Sequence, residues 1–193
     1  MTDTGRFSEE AEQRLHRKAY WLVHAYLEQK EVCEQCRKEL ESLPKITWQD
    51  AVDSLIGGGS QFTERVQTSN ISDPTAKAAL NVEQEMVRME REMRAEFEKP
   101  LREAEYNVSV LESVFTRVEL LSKVDAGYRD TFAFVLQFCK QNIPLEQVND
   151  HAGKRMSRYR AKSEMMKVVD FIAEELMRRW GGAEGEPKSK ADE

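Results

Sequence analysis

The chain has 193 residues, a net charge of -6, 33% charged side chains, and only 9 glycines and 5 prolines. That length can bury the core of one large domain or two small ones, and the abundance of Glu, Lys, Arg, Ala, Leu and Met predicts a nearly all-α protein, because these residues lose least entropy in a helix. No stretch nears the roughly 20 apolar residues of a membrane span, the polar start MTDTGRFSEE lacks a signal-peptide core, and 3 cysteines make no disulfide framework; the expectation is a cytoplasmic protein without a membrane partner.

Residues 8–43 place Leu15, Ala19, Leu22, Tyr26, Gln29, Cys33, Cys36, Leu40 and Leu43 at alternating steps of four and three, a heptad seam on one long helix. Ser8 stands as its N-cap and Pro44 as its stop, since a residue before proline is pushed out of the α region. Residues 44–73 lose the rhythm and contain Gly57, Gly58 and Gly59 before a Ser/Thr/Asn-rich run, which predicts a loop with one short helix over 48–56.

Asp73-Pro74 then reads as an N-cap followed by proline at the first helical position. Ala79, Val82, Met86, Met89, Met93, Phe97, Leu101, Ala104, Val108, Leu111, Phe115 and Val118 keep one phase straight through Pro100. A fresh helix would have no reason to keep that phase. The expectation is therefore one kinked helix ending near Lys123, with two helices broken at Lys99-Pro100 as the alternative. The two seams predict a coiled-coil-like antiparallel hairpin over residues 1–124.

After Asp125-Ala126-Gly127 a shorter helix carries Tyr128, Phe132, Val135, Leu136 and Cys139 on one face. Pro144 opens a brief helix, PLEQVNDHAG, closed by Gly153 in a left-handed conformation, and a last helix runs over about 156–180 with Met165, Val169, Ile172 and Leu176 as its core stripe. Residues 125–180 thus form a second small domain, and the polar residues 181–193 are expected to be a disordered tail.

Charge is segregated along this plan. Residues 123–180 hold 11 basic and 8 acidic side chains, while acids dominate the rest. The stretch GKRMSRYRAK, 153–162, gathers Lys154, Arg155, Arg158, Arg160 and Lys162 with no acid among them. A run of Lys and Arg on a helix is commonly a solvated face, but this one stands just behind a glycine turn. A short helix, a turn and a helix basic at its start make the outline of a helix-turn-helix, whose second helix offers its first residues to the major groove of double-stranded DNA. Arg suits bidentate contact with guanine, and Lys or Arg neutralise phosphates.

The segment IPLEQVNDHAGKRMSRYRAKSEMMKVV resembles the DNA-reading end of bacterial sigma factors, and more closely the RinA and ArpU families of phage transcriptional regulators. The order of parts is also similar: a long N-terminal helix, a Gly/Ser/Thr loop, a motif like TSNISDPTAKAAL, a second long helix, then a sigma-like helix-turn-helix. The resemblance implies sequence-specific activation of late, packaging or lysis genes of a phage or prophage in a bacterial host; the acidic remainder of the chain is expected to face water or a protein partner such as RNA polymerase. It places Val148 and Ala152 at buried positions of the motif's first helix, Gly153 at the turn and Ser157 at the opening of the recognition helix. Arg158, Tyr159, Arg160 and Lys162 then match the DNA-meeting stretch, while Lys154 and Arg155 join the expected DNA contacts through the basic cluster itself. Asn149 stands where a small residue is usual, and Lys154-Arg155-Met156 lengthens the turn.

Other motifs carry less. Cys33 and Cys36 have zinc half-site spacing but no second pair of ligands, and both lie on the heptad seam, where cysteine packs as a small apolar side chain. GGGS at 57–60 lacks the Lys-Ser/Thr of a phosphate loop. No cofactor, metal site or catalytic constellation is expected. Two other readings remain open: a small-terminase-like DNA-packaging protein, and a purely structural helical protein. The seams leave room for a homodimer.

Overall fold

The computed structural model describes residues 9–57 and 74–181; the expected caps Ser8 and Asp73, most of the glycine loop and the C-terminal tail lie outside them. The all-α class holds. The elements are α1 (Glu9–Ser42), α2 (Trp48–Gly57), α3 (Pro74–Val124), a 3₁₀ turn (Ala126–Tyr128) leading into α4 (Arg129–Phe134), a π-helical stretch (Val135–Lys140) continuing it, a 3₁₀ turn (Leu145–Gln147), and α5 (Arg158–Gly181). No described helix is long and apolar enough to cross a membrane.

Of the described residues, 9–32 and 103–181 form one compact unit and 33–57 with 74–102 another. The division differs from the expected boundary near residue 124, because the segment after Val124 shares one core with α1 and α3. In that core Leu15, Leu22, Leu111 and Val118 meet Phe134, Val148, Ile172 and Leu176, all buried. The heptad reading explains the α1 side, where every seam position from Leu15 to Cys36 is buried. Val23 and Ala25, off the seam, are buried as well. The π-helical stretch also packs on α1, with the Phe138 ring edge-on to His24 at 5.2 Å.

The first unit shows α1 and α3 antiparallel. Tyr26 donates its hydroxyl to Glu112 at 2.7 Å, and three residues further along α1 the Gln29 side-chain oxygen accepts from the Asn107 amide at 2.9 Å, five residues back along α3. α5 is fastened to α3 by Arg117, which pairs with Glu174 at 2.9 Å and lies over the Phe171 ring, and by Arg179 donating to Ser109. α4 is fastened to α5 by the buried bond of the Thr131 hydroxyl to Glu164, 2.6 Å.

In the second unit α2 starts on a reciprocal cap. Asp50 accepts the Thr47 N–H at 2.8 Å while the Thr47 hydroxyl accepts the Asp50 N–H at 3.2 Å. Ser54 of α2 donates to Glu85 of α3 at 2.7 Å, and Cys33 and Cys36 are both buried. α3 is one continuous helix through Pro100.

Two local expectations are corrected. On α4 and its continuation Val135 and Cys139 of the expected face are buried and Phe132 packs half-buried against the core, but Thr131 and Phe134, outside that face, are buried more deeply than Phe132 and Leu136. The brief helix over PLEQVNDHAG reduces to the 3₁₀ turn Leu145–Gln147 followed by non-helical chain. The brief helix expected before the glycine turn is therefore not formed.

Candidate nucleic-acid interface

The chain after Val148 forms a small β-like turn. Asn149 and Arg155 make an isolated antiparallel bridge, with Asp150 N–H donating to the Lys154 carbonyl at 2.8 Å and Met156 N–H to the Val148 carbonyl at 3.0 Å. Gly153 N–H closes the tip on the Asp150 carbonyl, 3.0 Å, with Gly153 at φ 80. Acid first and glycine fourth is the preference of a tight four-residue turn, and the positive φ suits glycine. Val148 and Met156, one on each arm, are buried and anchor the turn.

Further bonds hold it in place. The Gln137 amide grips Asn149 from the π-helical stretch, accepting its N–H and donating to its carbonyl, each at 2.9 Å. The Asp150 carboxylate folds back to accept the main-chain N–H of Ala152 at 3.1 Å and of Lys154 at 2.8 Å. Arg155 donates to the Glu146 carbonyl at 2.6 Å. The turn runs directly into α5, where the Ser157 hydroxyl accepts the Arg160 N–H at 3.2 Å and so caps the helix.

Arg160 lies between two acids. It donates to Asp130 of α4 and, at 3.4 Å, to Asp150 of the turn. The same Asp130 carboxylate accepts the His151 main-chain N–H at 3.1 Å and meets His151 Nδ1 at 2.7 Å. Burial pushes the Asp130 carboxyl up, but the hydrogen bonds from His151 and Arg160, with the guanidinium charge, outweigh it and hold the group at about 2. The bond to Asp130 in turn raises the Arg160 pKa further above its usual value.

The sequence-predicted residues therefore divide. Lys154, Arg158, Tyr159 and Lys162 are exposed, and among the described residues their side chains make no hydrogen bond or ion pair. Tyr159 is 86% exposed, unusual for a large ring. Ser157 is a cap, Arg155 is tied to Glu146, and Arg160 is engaged by carboxylates. Ala152, expected to be buried, is exposed near the turn tip, whereas Val148 is buried as expected. Both Arg158 and Lys162 sit at the start of a 24-residue helix, whose dipole adds positive potential there. Such a surface can take up an anion chain, with Tyr159 as a ring for stacking or sugar contact.

Asp130, Gln137, Asp150 and His151 were missed by sequence reasoning. Only Asp150 left a local signal, the four-residue spacing Asp150 to Gly153 of a tight turn. Comparison with protein-family models, curated proteins and solved structures yields no match to this chain.

Proposed function

We propose that this protein binds double-stranded DNA through the start of α5 and the adjoining turn, and that it regulates transcription without being an enzyme. The supporting observation is the cluster of uncommitted Lys154, Arg158, Tyr159 and Lys162 at one helix start, in a chain whose net charge is -6. An acidic protein repels DNA except where a patch like this one reverses the local sign. The resemblance to the RinA and ArpU regulators supplies the finer reading: a phage or prophage activator acting in the bacterial cytoplasm, alongside RNA polymerase. The departure from a regular helix-turn-helix means that α5 approaches DNA beside a β-like turn, in place of a first helix.

The test is a binding titration of the full chain against the DNA upstream of its own gene and an unrelated duplex of equal length. A regulator prefers its own region by 10³-fold or more, the order of specific over non-specific affinity. Arg158→Ala should cost about 1–3 kcal/mol on the preferred site and narrow the preference, as loss of a base-reading arginine does. Equal, weak binding to both duplexes, unmoved by Arg158→Ala, would end the regulator reading.

A further inference from the structure

We infer that Arg160 is a positioning residue of this surface and makes no contact with DNA: pinned by Asp130 and Asp150, it locks the 148–156 turn to α4 and to the start of α5. The inference rests on the duplex-binding reading of the surface and refines it.

Three observations carry it. Arg160 joins segments distant in the chain, since it stands on α5, Asp130 on α4 and Asp150 in the turn. Asp150 is an acid in the midst of a cationic patch, and its side chain is only 9% exposed. A buried carboxylate is costly unless paired and hydrogen-bonded, and here it accepts two main-chain N–H groups as well as Arg160. Charge gives the third argument. One guanidinium paired with two carboxylates has its charge already compensated, so Arg160 offers little to a phosphate. Lys154 and Arg155 ride on the turn, and their placement beside Arg158 and Lys162 depends on the turn being held.

Asp130→Asn separates this role from direct contact by the sign of its effect. On electrostatics alone, removing an acid beside the patch and freeing Arg160 tightens DNA binding. The lock predicts the opposite. If the released turn holds its place only a tenth of the time, the apparent Kd rises about tenfold, with the salt dependence unchanged because no phosphate contact is lost. Arg160→Lys keeps the charge but cannot bridge two carboxylates as a planar fork does, and should weaken binding similarly. In the DNA-free protein, both variants should show faster hydrogen exchange at the Asp150 and Met156 amides, which close the turn; loss of a DNA contact would leave that exchange unmoved. Wild type that binds duplex and Asp130→Asn that binds it as tightly or more tightly, with unmoved exchange in Arg160→Lys, would overturn the positioning role alone. Wild type that binds no duplex would overturn the surface reading and this role with it.

Discussion

Gln29 and Asn107 offer the sharpest stability test of the α1–α3 packing. Both are buried on otherwise apolar helix faces, and the Asn107 amide donates to Gln29 at 2.9 Å while Asn107 Oδ1 is buried without a protein partner. Asn107→Leu removes a hydrogen bond of net worth about 1 kcal/mol and strands the Gln29 amide, whose desolvation costs about 1–3 kcal/mol. A loss of about 2–4 kcal/mol follows, or about 4–16 °C in Tm for a chain of this size. Gln29→Leu should cost a similar amount, since Asn107 then has no partner on either side-chain atom. The double variant leaves no stranded polar group, so it should recover at least about 2 kcal/mol relative to the sum of the singles. Urea titrations of the full chain followed by far-ultraviolet circular dichroism measure all four corners of the cycle. Additive losses, or singles indistinguishable from wild type, would mean that the two amides do not depend on each other.

Gly153→Ala should destabilise by about 1–2 kcal/mol, the cost of a left-handed conformation for a residue with Cβ; nothing lies within 4 Å of the added carbon, so the loss is one of backbone alone, and Gly153→Asn should lose less in the same urea assay. The Asp130 carboxyl, held at about 2 in the fold against 3.8 for an unperturbed aspartate, contributes stability that is fully present above about pH 4 and disappears as pH falls through 2. Urea midpoints from pH 6 to pH 2 should therefore fall for wild type and fall less for Asp130→Asn, with Glu175, held at about 2 by Arg178 and Arg179, and Glu85, held at about 2 by Arg88 and Ser54, among the carboxylates that supply the slope that remains.

Periodic burial made the long helices legible. The seam from Leu15 to Cys36 and the unbroken phase through Pro100 need only the 3.6-residue repeat, and both appear in the structure. A repeat seen in one helix cannot report a second partner, which is why burial of Val23, Ala25, Val110 and Val114 beyond the seams was not foreseen. The segment at 145–153 failed for a different reason. Leu, Glu, Gln and Ala favour helix locally, but Gln137 takes the Asn149 main-chain groups and Asp150 takes two further N–H groups. The candidate surface was found from charge clustering at 153–162, whereas the fate of Arg160 was not: its partner Asp130 lies 30 residues earlier, with no local spacing to announce it.

Salt dependence of binding decides whether the start of α5 with its turn is a duplex-binding surface. With Lys154, Arg158 and Lys162 uncommitted, and Arg155 keeping its charge although its Nε is tied to the Glu146 carbonyl, three to four phosphate contacts give a slope of log affinity against log salt of about -3 to -4, from about -0.9 per contact. Lys162→Ala should flatten that slope by about one unit on every sequence, and the Lys154, Arg155, Arg158, Lys162 quadruple-Ala variant should bring it near zero while keeping the wild-type circular dichroism. A quadruple variant that binds duplex with the wild-type slope would contradict the account.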